Sequence, residues 1–298
     1  MTNQAKAYIF ALISVILWST VASVFKISLR YLTPVELLFY ASCFSCCVLF
    51  IALILQNKLA LLFQADIRVW KTSLLFGLLS PFLYYLILLK AYDLLPAQQA
   101  QPLNYTWAIT LSLLSVPLLG HRIRILEVAA VLVSYLGVLV ISTQGDVFSL
   151  RFENPLGVAL ALGSTVIWAL YWIANTRDRR DPVLGLFLNF LCSVPFITIY
   201  LLITEGFRVI DFAGVLGAAY IGTFEMGIAF ITWLMAMKLT KSTARIANLI
   251  FISPFLSLFL IHFLVGERIM ISSVVGLLFI VLGLSMQALS GKTDPGGG

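Results

Sequence analysis

Apolar residues run through this chain in long blocks separated by short polar stretches, and the block lengths set the predicted elements. A helix that crosses the hydrocarbon layer of a bilayer needs about 20 such residues. Cutting the chain at its polar breaks predicts helices over 6–29, 34–55, 70–92, 97–119, 123–143, 154–176, 182–204, 212–237, 242–264 and 270–290. Pro34, Pro96, Pro155 and Pro182 stand at or near the start of four of them, where the missing N–H displaces no hydrogen bond. The first block follows Lys6 and resembles a signal peptide, but it outruns a usual signal core and further spans follow. It is therefore expected to stay as an uncleaved helix. The Gly-rich stretch 291–298 is expected to be a disordered tail of the kind left by an expression vector.

Composition narrows the class. Of 298 residues, 61% are hydrophobic and only 11% charged, and the mean hydropathy is +1.03. A water-soluble domain of this make-up would expose large apolar patches, so the solvent for most of the surface is lipid. The expected fold class is an all-α integral membrane protein with ten transmembrane helices. The net charge of +6 would suggest nucleic acid in a soluble protein. Here the basic residues sit at helix ends, as in cytoplasmic loops, and no nucleic-acid partner is expected. Cys43, Cys46, Cys47 and Cys192 all lie inside apolar runs and read as small packing residues.

Alternating the loops between two sides sorts the cations unequally. One side collects Lys6, Lys58, Arg68, Lys71, Arg122, Arg124, Arg177, Arg179, Arg180, Lys238, Lys241, Arg245 and Lys292. The other holds Lys26, Arg30, Lys90, Arg151, Arg208 and Arg268. The cation-rich side is the cytoplasmic one, which puts both termini in the cytoplasm and agrees with an even number of spans.

The two halves also align with each other. Gly120 meets Gly266, Arg122 meets Arg268, Ile123 meets Ile269, Val128 meets Val274 and Gly137 meets Gly283, all at one offset of 146 residues. With a few gaps the shift extends to Trp18 over Trp168, Pro34 over Pro182 and Cys43 over Cys192. This predicts a first five-helix repeat over 1–145 and a second over 146–290. Five is odd, so the second copy enters the membrane from the opposite side. Inverted repeats of that kind suit two exchangeable states around a central site.

The paired tryptophan helices of Trp18 and Trp168, and the Gly-Glu-Arg at 266–268 before the last helix, resemble the drug/metabolite transporter superfamily. Within it, the chain looks most like the ten-span EamA-type exporters. The aromatic-rich middles of helices three, four and six are similar to the YddG-type aromatic amino acid exporters. In the first repeat His121 stands where the second has Glu267, a departure from the pattern. The resemblance implies a bacterial inner-membrane, multi-pass exporter.

Polar and aromatic groups at mid-depth are the candidate site, because a polar group facing lipid is costly and one lining a wet cavity is not. Helix six carries Ser164, Trp168, Tyr171, Trp172 and Asn175 on one stripe, and helix one carries Trp18 among serines. In helix three Pro81 precedes Tyr84 and Tyr85 and predicts a kink. Helix four is the richest, with Gln98, Gln101, Asn104 and Trp107. Amides of Gln98, Gln101 and Asn104 could hold the ammonium and carboxylate of an amino acid while Tyr84, Trp107 and Trp168 enclose its side chain. Tyr171 and Asn248 complete the candidate substrate set. Glu225, the only acidic residue near the middle of any span, is the candidate for proton or cation coupling. The plainer alternatives are aromatic packing for the rings, close helix contact for the serines and a helix-bridging hydrogen bond for Glu225.

The expected activity is export of aromatic and other neutral amino acids from the cytoplasm by alternating access around that cavity. The partners are a small-molecule substrate and the lipid bilayer, and nothing in the chain calls for more than a monomer. The alternatives are a proton-coupled exporter of drugs or organic cations and, behind it, a membrane-embedded enzyme. His121 and His262 are the only histidines and neither has a second ligand at metal spacing. No metal, cofactor or catalytic group is therefore expected.

Overall fold

Helix starts are written locally. Thr33 accepts from the Glu36 amide while the Glu36 carboxylate accepts from the Thr33 amide, a reciprocal cap that opens α2 (Pro34–Leu55) with proline in its first turn. Asp66, Asp181 and Asp211 accept from first-turn amides in the same way, and so start α4 (Ile67–Gly77), α10 (Pro182–Thr204) and α11 (Phe212–Tyr220). The computed structural model describes residues 2–119, 125–148, 152, 154–175, 178–206, 211–240, 246 and 248–290, without the side chains of Ser112, Ser115, Leu119, Asn248, Phe251 and Ser290. His121, Arg245 and the tail 291–298 therefore lie outside the described residues.

The remaining elements are α1 (Asn3–Ser28), the short α3 (Leu59–Phe63), α5 (Tyr84–Leu94), α6 (Ala97–Tyr105), α7 (Trp107–Leu119), α8 (Ile125–Ser142), α9 (Pro155–Asn175), α12 (Phe230–Leu239), α13 (Ile252–Leu260) and α14 (Ile271–Ser290). The described residues form helices and connecting turns without a strand. Among the described residues eight helical stretches are long and apolar enough to cross a membrane: α1, α2, α4 through α5, α8, α9, α10, α11 through α12, and α14. A shorter apolar helix covers Ile252–Val265.

The long helices three and eight of the sequence reading are not regular. A wide π turn, Leu78–Leu83, joins α4 to α5, with Ser80 in an extended conformation (φ −148°, ψ 124°) just before Pro81. A second wide turn, Ile221–Ala229, joins α11 to α12. Glycines precede or enter each, and both are pressed against a neighbour's backbone. A Cβ on Gly77 would lie 2.3 Å from the Asn189 carbonyl oxygen of α10, and one on Gly222 would lie 2.2 Å from that of Ala41 on α2.

The predicted helix 97–119 is two helices, α6 and α7, that meet at Thr106. There the backbone N–H turns back to Leu103 in a tight i−3 bond at 3.2 Å, and the hydroxyl takes the same carbonyl at 2.7 Å. The predicted helix 242–264 is described from residue 246. It runs as a 3-10 turn (Asn248–Phe251), α13 and a π turn (Ile261–Val265). Pro254 sits in the first turn of α13, where its missing N–H interrupts nothing.

Helices α8 and α14 pack on each other through small residues. A Cβ on Gly137 would lie 2.4 Å from the Gly276 carbonyl oxygen, and one on Gly283 would lie 2.6 Å from that of Ala130 and 2.0 Å from the Ser134 hydroxyl. Backbones this close are the usual product of small residues in membrane helices. Away from this pair the core is formed by α1, α2, α5, α6, α9, α10 and the α11–α12 stretch, with side chains such as Phe25, Leu37, Leu49, Tyr85 and Leu188 fully buried.

Candidate functional site

Five helices bring the aromatic residues together. Trp168, Tyr171 and Trp172 lie at i, i+3 and i+4 on α9, so they share one face. Tyr84, the first residue of α5 after the π turn, stacks on Trp168 with ring centroids 4.4 Å apart, and Trp168 stacks on Tyr171 at 5.4 Å. Phe230 and Trp172 meet Trp168 edge-on at 6.0 and 5.9 Å. Trp18 of α1 meets Phe230 and Trp233 of α12 at 6.1 and 5.2 Å, and Trp107 of α7 lies parallel to Trp172 at 6.4 Å.

These rings border a central cavity of about 100 Å³. Trp18, Tyr84, Gln101, Asn104, Trp107, Trp168 and Glu225 from the sequence-derived set all line it. The polar groups among them differ in how far they are committed. Tyr84 donates to Asn104 Oδ1 at 3.3 Å and Asn104 Nδ2 donates to Ser164 at 3.0 Å, so both ends of that amide are held. The Gln101 side chain, only 4% exposed, makes no hydrogen bond among the described residues. Tyr85 donates to Glu225 Oε1 at 2.8 Å, while Glu225 Oε2 and the indole N–H of Trp172 are buried without a partner among the described residues. Glu225 stands on the Ile221–Ala229 π turn. Such wide turns inside helices are frequent at functional sites because they re-aim side chains. Among the described residues no Lys, Arg or His lines the central cavity.

Two residues of the sequence-derived set stand elsewhere, and the side chain of a third lies outside the described residues. Gln98, at the start of α6, donates to the Arg268 carbonyl at 2.8 Å and accepts from the Met270 amide at 2.9 Å. It is thereby tied to the 266–270 segment rather than to the cavity. At the same end Glu267 accepts from the Ala97 and Gln98 amides, and Lys26 donates to the carbonyls of Tyr92 and Leu95 at 2.7 and 2.8 Å. Tyr171 joins the aromatic stack but lines a second cavity, whose wall includes Trp172, Asn175, Asp178, Arg180, Asn189, Phe230 and Trp233. Asn248 opens a 3-10 turn, and its side chain lies outside the described residues.

The sequence reading missed Tyr85, Tyr92, Tyr105, Phe230 and Trp233 as lining groups. A signal for one of them was present: the 146-residue shift lays Phe230 on Tyr84. Beside the second cavity, Asp181 caps α10 and pairs with Lys58 at 2.8 Å. Burial works against its carboxylate, but the Lys58 hydrogen bond and the Leu184 and Val183 amides prevail and hold its pKa below the usual aspartate value.

A crystal structure superimposes on 97% of the chain, and on 98% of its own length, with a TM-score of 0.68 at 22% identity, which fixes the fold as one already seen. In sequence, the chain is 26% identical over 231 residues to the uncharacterized transporter YvbV of Bacillus subtilis, covering 76% of this chain and 74% of that one. It is 26% identical over 183 residues to an uncharacterized transporter of Clostridium kluyveri, covering 59% and 58%. It is 28% identical over 172 residues to the aromatic amino acid exporter YddG of Ancylobacter novellus, covering 54% and 57%. The chain thus spans a little over half the length of the last two and about three quarters of the first. The profile of the EamA-like transporter family matches twice, over residues 5–143 and 155–288. With both halves matched and a membrane-type helical fold around an internal aromatic cavity, the chain belongs to the EamA-like transporter family.

Proposed function

We propose that this chain exports aromatic and other neutral amino acids across a bacterial inner membrane by alternating access, using the central cavity as the substrate site. The observation that carries the reading is the composition of that cavity: stacked rings of Tyr84, Trp168 and Trp107 beside the uncommitted groups of Gln101, Trp172 and Glu225. An amino acid needs a flat apolar slot for its side chain and separate partners for its two charged ends. Glu225 Oε2 faces the ammonium, and the Gln101 amide and Trp172 N–H face the carboxylate. The YddG relative, an aromatic amino acid exporter, supports the substrate class.

Ten spans in two inverted halves, 1–145 and 146–290 with both termini cytoplasmic, supply the movement. The double family match supports the duplication. So do the paired π turns and the paired glycine contacts, Gly77 on α10 and Gly222 on α2, which recur at nearly the same offset as the sequence repeat. Tyr171 serves the site through its stack on Trp168, Asn104 by positioning Tyr84, and Gln98 by holding the end of α6. Asn248, on the turn that also carries the lining residue Ile250, remains in the proposed set.

One observation favours a second reading, proton-coupled export of organic cations: among the described residues Glu225 is the sole charged one lining the central cavity, and its walls are π faces that attract cations. Uptake of labelled phenylalanine, threonine and methionine into liposomes holding the purified protein, with and without a pH gradient, separates the two. Saturable phenylalanine uptake carries the amino acid reading. Its absence under both conditions, with uptake of an organic cation under the gradient, carries the other.

A further inference from the structure

The second cavity, about 170 Å³, has what the described lining of the central one does not: a cation and an anion side by side. The Arg180 and Asp178 side chains are only 9% and 13% exposed. Arg180 Nε donates to both Asp178 oxygens at 3.0 and 2.9 Å, and Nη2 donates to Oδ2 at 2.7 Å. The rest of the guanidinium is held by neutral groups. Ser73 accepts from Nη1, Asn189 Oδ1 accepts from Nη2 at 3.3 Å, and the Phe76 ring lies 5.2 Å below.

A shielded ion pair is a weak device for stability, since the attraction between its members barely offsets their loss of water, and apolar residues of like size would join the helices as well. Lining a cavity, the same pair is a receptor. Its fork matches a carboxylate through two parallel N–H bonds, and Asp178 beside it matches an ammonium. Those two groups, attached to one carbon, are the head of an α-amino acid. The rings of Tyr171, Trp172, Phe230 and Trp233 line the same cavity, and the Trp172 N–H has no acceptor among the described residues.

We propose that the second cavity is a binding site for zwitterionic amino acids, distinct from the central cavity and joined to it through a shared wall. The substrate carboxylate replaces Asp178 on Arg180, the ammonium pairs with the released Asp178, and the side chain lies on the Trp172, Phe230 and Trp233 rings. Those three rings line both cavities, so a solute held here is one layer of side chains from Glu225. This deepens, and rests on, the amino acid export reading. The site selects for zwitterions in a way the central cavity, with a single carboxylate, does not.

The test is calorimetric binding of L-phenylalanine, 2-phenylethylamine and 3-phenylpropionate to the full chain in lipid nanodiscs. The expected result is two phenylalanine sites, one weakened about tenfold by Arg180→Gln or Asp178→Asn and the other responding only to Glu225→Gln. Truncated ligands give the decisive sign. Asp178→Asn frees Arg180 of its internal competitor and should tighten phenylpropionate binding by about tenfold. Arg180→Gln should do the same for phenylethylamine. Uniform weakening of all three ligands by both variants, with lower melting temperatures, means the pair only holds helix ends and overturns the proposal. A phenylalanine site indifferent to both substitutions overturns it too, while leaving export through the central cavity standing. Wild-type protein that binds phenylethylamine but no phenylalanine overturns this site and the amino acid reading together. If Arg180→Gln does not fold, the phenylpropionate result with Asp178→Asn decides alone.

Discussion

The Tyr85 hydroxyl donates to Glu225 Oε1 at 2.8 Å, and Oε2 of the same carboxyl is buried without a partner among the described residues beside the central cavity that Glu225 lines. One oxygen is anchored by the first half of the chain and the other is free for a proton or an amine. Among the described residues Tyr84, Tyr92 and Tyr105 are the other titratable groups lining that cavity, and no cation lines it. Glu225→Gln keeps the shape and the Tyr85 contact but cannot exchange a proton. It should abolish the pH dependence of flux in proteoliposomes. Full activity with an unchanged pH profile would make Glu225 a packing residue.

Trp168 is the ring that the others touch: Tyr84, Tyr171, Trp172 and Phe230 all pack on it. Trp168→Ala should lower phenylalanine flux about tenfold or more while the protein still reaches the membrane, because each lost stacking contact contributes of the order of 1 kcal/mol. Trp168→Phe should recover part of it. Wild-type flux in the alanine variant, measured at matched protein levels, would remove Trp168 from the site.

Gly137 leaves no room for a side chain, since its Cβ would come within 2.4 Å of the Gly276 carbonyl oxygen. Backbone cannot retreat as a flexible side chain can, so Gly137→Ala forces α8 and α14 apart and should cost about 1–3 kcal/mol. A thermal melt in detergent reads this directly. Gly163, whose Cβ would meet nothing within 4 Å, is the control: Gly163→Ala should leave the melt unchanged or raise it.

Asp181 gives a pH signature outside the membrane. Its folded pKa is lowered, so the carboxylate stabilises the fold above the unfolded-state value and loses that contribution as pH falls through the folded one. Asp181→Asn retains a capping side chain but loses the Lys58 pair, which at 20–28% side-chain exposure contributes about 0.2–1 kcal/mol. The variant should melt slightly lower than wild type at pH 7, and the gap should close below about pH 4. A gap that persists in acid would assign the effect to the cap instead.

Much of this architecture was legible because lipid imposes long apolar blocks, and the ends of α2, α9 and α10 carry proline or a capping side chain. The break at Thr106 was not, since hydropathy runs straight through it; only backbone turning at Leu103 creates it. Within the site, Trp18 and Trp168 were found through the internal alignment and Glu225 through the rarity of carboxylates at mid-span. Gln98 and Gln101 look alike in sequence, three residues apart on one helix. Depth separates them: the first turn of α6 meets the 266–270 segment, and Gln101, one turn on, meets the cavity. The Arg180–Asp178 pair escaped notice because loop cations ordinarily count toward orientation alone.

The glycine seam between α8 and α14 has a further consequence. Gly137 faces the Gly276 carbonyl, and 146 residues later Gly283 faces the carbonyl of Ala130, the position that the same shift carries onto Gly276. The seam is self-complementary in the manner of a homodimer contact, although one chain supplies both faces. In a true homodimer a single mutation strikes both contacts at once. Here each side can change alone, and a bulkier residue at either glycine would strike one contact and leave the other intact. The two halves are free to become different proteins everywhere except where their backbones touch.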